Sequence, residues 1–366
     1  GCPAPHSERH QPRAAMKIFE CDHCGNLVFF ENVSCVRCHH TLGFIPDAID
    51  LCAVEPVSNG LWQALGRSAA SGSFRQCRNW TEFQVCNWFV PEDDENPLCH
   101  ACRLNLVIPD LSLEANLQLW HKFELAKRRV LYSLLRLQLP TEAEDDRPPL
   151  RFKFMADSRG APPVMTGHSG GVITINIAEA DDAERERRRS QFHEPYRTLI
   201  GHLRHEIAHY YWERLIAETP RMDKFRALFG DERKSYLDSL KAYYEKGPPS
   251  DWENNYVTAY ASSHPWEDWA ETCAHYLHMS DALETAASFG LSLKPRHPQA
   301  LTMRADPQKA QDTDDFDQLL QTWIPLTHTL NELNRGMGLP DLYPFVLSSP
   351  SAQKLRFIHT FLRNPP

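Results

Sequence analysis

The sequence predicts an α+β protein in which a cysteine-rich N-terminal region precedes a mainly helical domain holding a small β-sheet. Three observations carry this. Eight of the eleven cysteines group into two sets between Cys21 and Cys102, amid turn residues and without long helical periodicity. From Leu111 onward apolar residues recur at helical spacing, interrupted by two β-branched alternating segments, Leu150–Ala156 and Gly171–Ile177. At 366 residues, 42% apolar and 24% charged, the chain is long enough to bury one large core or several smaller ones.

Taken in order, residues 1–15 carry Pro, His and Arg and no apolar stretch of the secretory type. They are expected to form a disordered tail, with cytoplasmic residence for the protein. Residues 16–50 and 51–110 each hold a set of four grouped cysteines and are read as two modules, with Cys52 left over. Residues 111–366 form the main domain. It opens with a bracing helix over 112–139, capped by Ser112 and stopped by Pro140, with Leu117, Trp120, Phe123, Val130, Leu131 and Leu134 near helical spacing. Thr141–Pro149 reads as an exposed loop and Arg185–Arg189 as a solvated helix face. Lys294–Thr313 has no periodicity and is expected to be a loop, while Phe316–Leu333 and Ser351–Leu362 close the chain as helices. No apolar run approaches the roughly 18 residues that a membrane helix needs.

Cys21-x2-Cys24 and Cys35-x2-Cys38 form a pair of tight knuckles, which complete a tetrahedral Zn²⁺ site of four thiolates. Gly25 suits the first turn, and His23, His39 and His40 are bystanders beside four thiols. Cys77, Cys86, Cys99 and Cys102 are spaced less regularly, with one knuckle, yet four cysteines in so short a segment again favour zinc over free thiols. Charge argues about partners. Met16–Asp110 holds six Lys/Arg against twelve Asp/Glu, a difference of −6. Two zinc ions on eight thiolates would lower it to about −10. Phosphate contacts dominate nucleic-acid affinity, so no nucleic-acid partner is expected, and the chain's formal charge of −9 agrees.

The segment His205-Glu206-Ile207-Ala208-His209 places two imidazoles on one helix face, where both reach a single Zn²⁺. Glu206 then stands where it reaches a water activated by the metal. Chance would produce such a pattern about 0.06 times in a chain of this composition, so context must decide. The surrounding Tyr196–Ile216 is strongly helical, and a catalytic zinc needs a third protein ligand. Downstream, Glu267 and Glu271 lie four apart on a second helix. One can bind the ion while the other accepts the N–H of a ligand histidine.

This pattern resembles the gluzincin metallopeptidases. That resemblance implies Glu267 as the third zinc ligand and Glu271 as the outer partner, the reverse order remaining open. Tyr260, seven residues before Glu267, matches a tyrosine that faces the zinc in lethal-factor-like toxin peptidases. The resemblance gives it an oxyanion role, and a packed core tyrosine is the alternative. More broadly, the chain from Met16 onward resembles a bacterial family described as "putative zinc-binding metallopeptidases" with an N-terminal zinc ribbon. The likeness lies in the cysteine modules, Lys127–Leu131, Gly171–Asp182, Glu194–Trp212, Phe229–Arg233, Ala259–Leu277 and Leu339–Leu347. It implies hydrolysis of peptide bonds in a peptide or protein substrate by zinc-activated water with Glu206 as base. One catalytic and two structural Zn²⁺ ions would be needed. The alternative from another class is a non-catalytic, zinc-stabilised protein-interaction module. The strand Gly171–Ile177 is expected to offer its edge to an extended peptide.

Overall fold

The structure is a computed structural model that describes residues 18–66, 72–144, 146–158, 160–192, 198–296, 304–307 and 315–363. The expected N-terminal tail (1–15) and much of the Lys294–Thr313 excursion lie outside these residues. The architecture is α+β.

The chain begins with a two-stranded hairpin, β1 (Phe19–Glu20) and β2 (Leu27–Val28). Its turn is the first cysteine knuckle. The Gly25 amide donates to the Cys21 carbonyl at 2.7 Å, and Gly25 takes φ +69°, a left-handed conformation that costs glycine nothing. An antiparallel meander follows, made of β3 (Thr41–Ile45), β4 (Asp50–Pro56), β5 (Trp62–Ala64), β6 (Ser73–Gln76) and β7 (Phe89–Pro91). Because β3 pairs with β4, the sheet crosses the sequence position between the two cysteine sets and ties them into one body. Gly43 on β3 is required by packing, since a Cβ there would overlap the Phe89 ring. The short helices α1 (Arg78–Phe83) and α2 (His100–Arg103) follow Cys77 and Cys99 directly.

The second sheet joins the two halves of the molecule. Its strands run in the order β10 (Gly167–Ser169), β11 (Val172–Asn176), β9 (Arg151–Met155) and β8 (Asn105–Val107). β8 and β9 are parallel, as are β9 and β11, so the cysteine-rich region contributes the outer strand of the sheet beside the helical domain. β11 is therefore an inner strand. The edge expected of Gly171–Ile177 is covered by β10, which folds back on it through the Gly170–Gly171 turn, and β10 takes the edge position instead.

Helix α3 (Glu114–Arg136) braces both sheets. Leu113, not Ser112, occupies its cap position, because the Ser112 hydroxyl donates to Asp110 at 2.7 Å instead of closing the first turn. Tyr132 of α3 packs edge-on against Phe30 and Phe44. Fully buried Lys127 donates to Asn105 on β8 at 2.6 Å and to Glu124 at 2.7 Å, over the rings of Phe152 and Phe154. Helix α4 (Asp182–Phe192) is charged and carries the Arg185–Arg189 run. Helices α5 (Leu199–Leu215) and α8 (Pro265–Ser288) form the central pair. The buried Trp269 indole donates to the Ala208 carbonyl at 2.8 Å. Helices α6 (Met222–Phe229), α7 (Tyr236–Lys246), α9 (Phe316–Gly336) and α10 (Ser349–Arg363) complete the domain. A continuous buried cluster runs from Phe19 to Leu362. None of the helices described is long and apolar enough to cross a membrane.

Candidate metal centre

Helix α5 starts cleanly. The Thr198 hydroxyl accepts from the Gly201 amide at 3.0 Å, which fixes the helical phase that carries His202, His205, Glu206 and His209 inward. Helix α8 has its own cap: His264 Nδ1 accepts from the Trp266 amide at 3.1 Å, and Pro265 begins the helix. Glu267 thus sits in the first turn, where the helix dipole favours a carboxylate.

The two helices bring His205, His209 and Glu267 together, all buried. His205 Nε2 and His209 Nε2 are 3.2 Å apart, and Glu267 Oε2 lies 3.0 Å from the first and 3.5 Å from the second. Glu267 Oε2 is buried and takes no hydrogen bond. Two imidazole nitrogens and a carboxylate oxygen that aim their lone pairs at one another repel unless a cation or proton lies between them. A tetrahedral zinc with bonds of about 2.0–2.1 Å holds its ligand atoms about 3.3 Å apart, so the donor set fits that ion in spacing and chemistry.

Each ligand is held from behind. His205 Nδ1 lies 2.6 Å from Glu271 Oε1, and Glu271 Oε2 accepts from the Thr258 hydroxyl at 2.7 Å. Glu267 Oε1 accepts from the Tyr236 hydroxyl at 2.8 Å. The Trp266 indole stacks on the His209 ring at 3.9 Å. Of the two acids four apart, Glu267 faces both Nε2 atoms and Glu271 stands outside them. Burial opposes charge on these groups, but their partners outweigh it. Glu267 and Glu271 raise His205 well above the ordinary histidine value, and the histidines hold both carboxylates below theirs. A cation bound there would compete with protons for the same lone pairs.

Glu206 projects beside this cluster and is not one of its three converging donors. Its Oε1 lies 3.3 Å from His202 Nε2, and His202 Nδ1 lies 2.7 Å from Glu179 Oε2. Tyr260 lines the same cleft, with its ring 6.0 Å from that of His205. Sequence reasoning missed His202, Glu179 and Tyr236. His202 lies four residues before Glu206, a spacing that was available to read, whereas Glu179 and Tyr236 arrive from other elements and leave no local signal.

These groups line a cavity of about 1190 Å³, open to solvent and walled by Met165, Leu240, Tyr243, Trp252, Trp266 and Phe345, among others. No Lys or Arg is among its lining residues, taken over the described residues.

Both cysteine sets are assembled as well. Cys21 Sγ and Cys38 Sγ are 3.5 Å apart, and Cys24 and Cys35 3.6 Å. In the second set Cys86 and Cys99 are 3.6 Å apart, while the Cys99 and Trp88 amides donate to Cys77 and Cys86 sulfurs at 3.4 Å. Four thiolates on zinc at about 2.3 Å stand about 3.8 Å apart, close to these spacings. All four cysteines of the second set are buried, whereas Cys24 and Cys38 of the first are half-buried.

Comparison with known proteins agrees with this arrangement. Residues 116–361 match the family described as "Putative zinc-binding metallo-peptidase", and residues 18–113 match a zinc-ribbon domain. The chain is similar to the "Uncharacterized protein Mb2598c" of Mycobacterium bovis. It is equally similar to the "Uncharacterized protein Rv2568c" of Mycobacterium tuberculosis. Each is 40% identical over 346 residues, which cover 94% of this chain and 95% of the relative. No solved structure matches it.

Proposed function

The chain belongs to this zinc-binding metallopeptidase family, and from that premise we propose that it hydrolyses peptide bonds with Glu206 as general base. One observation carries the reading. His205, His209 and Glu267 converge at the floor of an open cavity, and a further buried carboxylate, Glu206, stands beside them without being needed as a ligand. A structural site has no use for such a neighbour, and an interaction module has no use for such a cleft.

In this reading His205, His209 and Glu267 hold the catalytic ion, and Glu271 orients His205. Zinc bound there supplies Lewis acidity, which acidifies a water and polarises a carbonyl. Glu206 takes the water's proton on a carboxylate oxygen and later delivers it to the leaving amine nitrogen. Tyr260, working with Tyr236, offers a phenolic donor for charge that develops on the carbonyl oxygen. The edge strand β10 borders the cavity through Gly167 and His168, and an extended peptide could add there as a further strand. The apolar walls suit a peptide or protein segment better than a nucleic acid. The two cysteine sets hold structural zinc, three ions in all, and cytoplasmic residence remains part of the proposal.

The test is a peptide library digested by the zinc-loaded protein and by Glu206→Gln. The variant should keep its zinc and lose hydrolysis by roughly 10²- to 10⁴-fold. A wild-type protein that carries zinc at His205, His209 and Glu267 yet cleaves nothing would leave the interaction-module reading in its place.

A further inference from the structure

We propose that His202 is a positioning residue for Glu206: clamped by Glu179, it holds one oxygen of the Glu206 carboxylate and leaves the other for the reacting water. This rests on the hydrolase reading above and adds a part that neither the HExxH pattern nor the family match assigns.

The Thr166 hydroxyl accepts from the Asn176 amide at 3.0 Å, so its single proton goes to Glu179 Oε1, 2.6 Å away. Glu179 sits on the tight turn Ile177–Ala180 that follows β11, and only 3% of it is exposed. Its second oxygen lies 2.7 Å from His202 Nδ1, so that nitrogen is an N–H donor. The opposite ring nitrogen, Nε2, faces Glu206 Oε1 at 3.3 Å. A neutral ring with its proton on Nδ1 would point a lone pair at that carboxylate. The ring is therefore an imidazolium that donates to a carboxylate on each side. Burial works against this charge, but Glu179 and then Glu206 outweigh it and raise His202 to about 9.

An ordinary ion pair four residues apart on a helix is exposed and loose. This one is different, because its histidine is fixed by a third residue from another element, and that residue by a hydroxyl which a backbone amide holds in turn. A carboxylate gripped through Oε1 cannot swing toward the metal ligands, and Oε2 is the oxygen left to receive a proton.

Two variants and one spectroscopic signature decide the matter in the zinc-loaded full chain. His202→Leu and Glu179→Gln should retain zinc and lower kcat roughly 10- to 100-fold, with KM within about twofold, as expected of a group that acts through another. With ring-¹⁵N-labelled histidine, His202, identified by its loss in His202→Leu, should show two protonated nitrogens at about pH 8 in the wild type. In Glu179→Gln it should show one. A wild-type ring with a single proton overturns the proposal, and so does wild-type kcat in His202→Leu with zinc retained. If the wild type hydrolyses no peptide at all, the hydrolase reading falls, while the nitrogen spectrum still decides whether the clamp exists.

Discussion

The cysteine region and the histidine–glutamate cleft both gather metal-ligand side chains, and they do so in opposite ways. In the N-terminal region four thiols close on one another twice, with amide donors to sulfur in the second set. In the cleft three donors leave a side open to a large cavity, and buried acids and phenols crowd around them. The contrast is the one that separates a metal used as a staple from a metal used as a reagent: ligand count, openness and the company kept. The two cysteine sets differ in degree only, the first being partly open to solvent and the second buried.

The strongest way to break this comparison is to remove a staple. Cys99→Ser in the buried set should unfold the N-terminal region, because a structural zinc contributes roughly 10–16 kcal/mol, comparable to a whole domain's stability. Limited proteolysis should then cut within residues 18–107. A protease-resistant variant would mean that the second set is not a metal staple.

The joint between the regions comes next. Lys127→Ala removes the nearer of two buried cations from Glu124, leaving Arg128 at 4.0 Å, and should cost roughly 3 kcal/mol in denaturant unfolding. A loss below about 1 kcal/mol would show that the two regions are coupled by packing alone.

A gentler probe sharpens the contrast within the cleft. Glu271→Ala removes the partner of His205 and should weaken zinc there by roughly 10- to 100-fold, while the cysteine-bound zinc is unchanged in a chelator competition. Equal loss from every site would argue that the variant disturbs the fold and not the ligand.

The smallest effect follows from pH. Burial lowers His168 and His275 to about 4 each. An unfolded histidine titrates near 6.5, so between about 6.5 and 4 the unfolded chain binds more protons and stability falls with falling pH. By pH 5 each contributes a loss of about 2 kcal/mol. Burial raises Asp268 to about 7 and Glu284 to about 8, which works in the opposite sense, so the readout is a difference: His275→Gln should lose less stability than the wild type between pH 7 and pH 5. An identical pH dependence in the two proteins would mean that the His275 ring finds a charged partner on protonation.

How much of this could be read in advance follows from distance along the chain. The knuckles Cys21–Cys24 and Cys35–Cys38, the pair His205/His209 and the pair Glu267/Glu271 are local spacings on turns and helices, and periodicity exposes them. The five-stranded meander left little trace, because β5, β6 and β7 are three or four residues long and lie among turn residues. Tyr236 and Glu179 reach the site through tertiary packing, 31 residues from Glu267 and 23 from His202 respectively. The edge position went to β10 because a hairpin through two adjacent glycines, Gly170 and Gly171, is invisible to alternation alone.

One consequence lies in β8. Because Asn105–Val107 borders a sheet whose remaining strands come after residue 150, the two family matches meet inside a shared structural unit. A gene fragment encoding residues 116–361 alone would expose the flank of β9 as a sticky template and strand Lys127 without its amide acceptor. Shuffling this domain onto another ribbon would succeed only if the donor supplied a replacement strand.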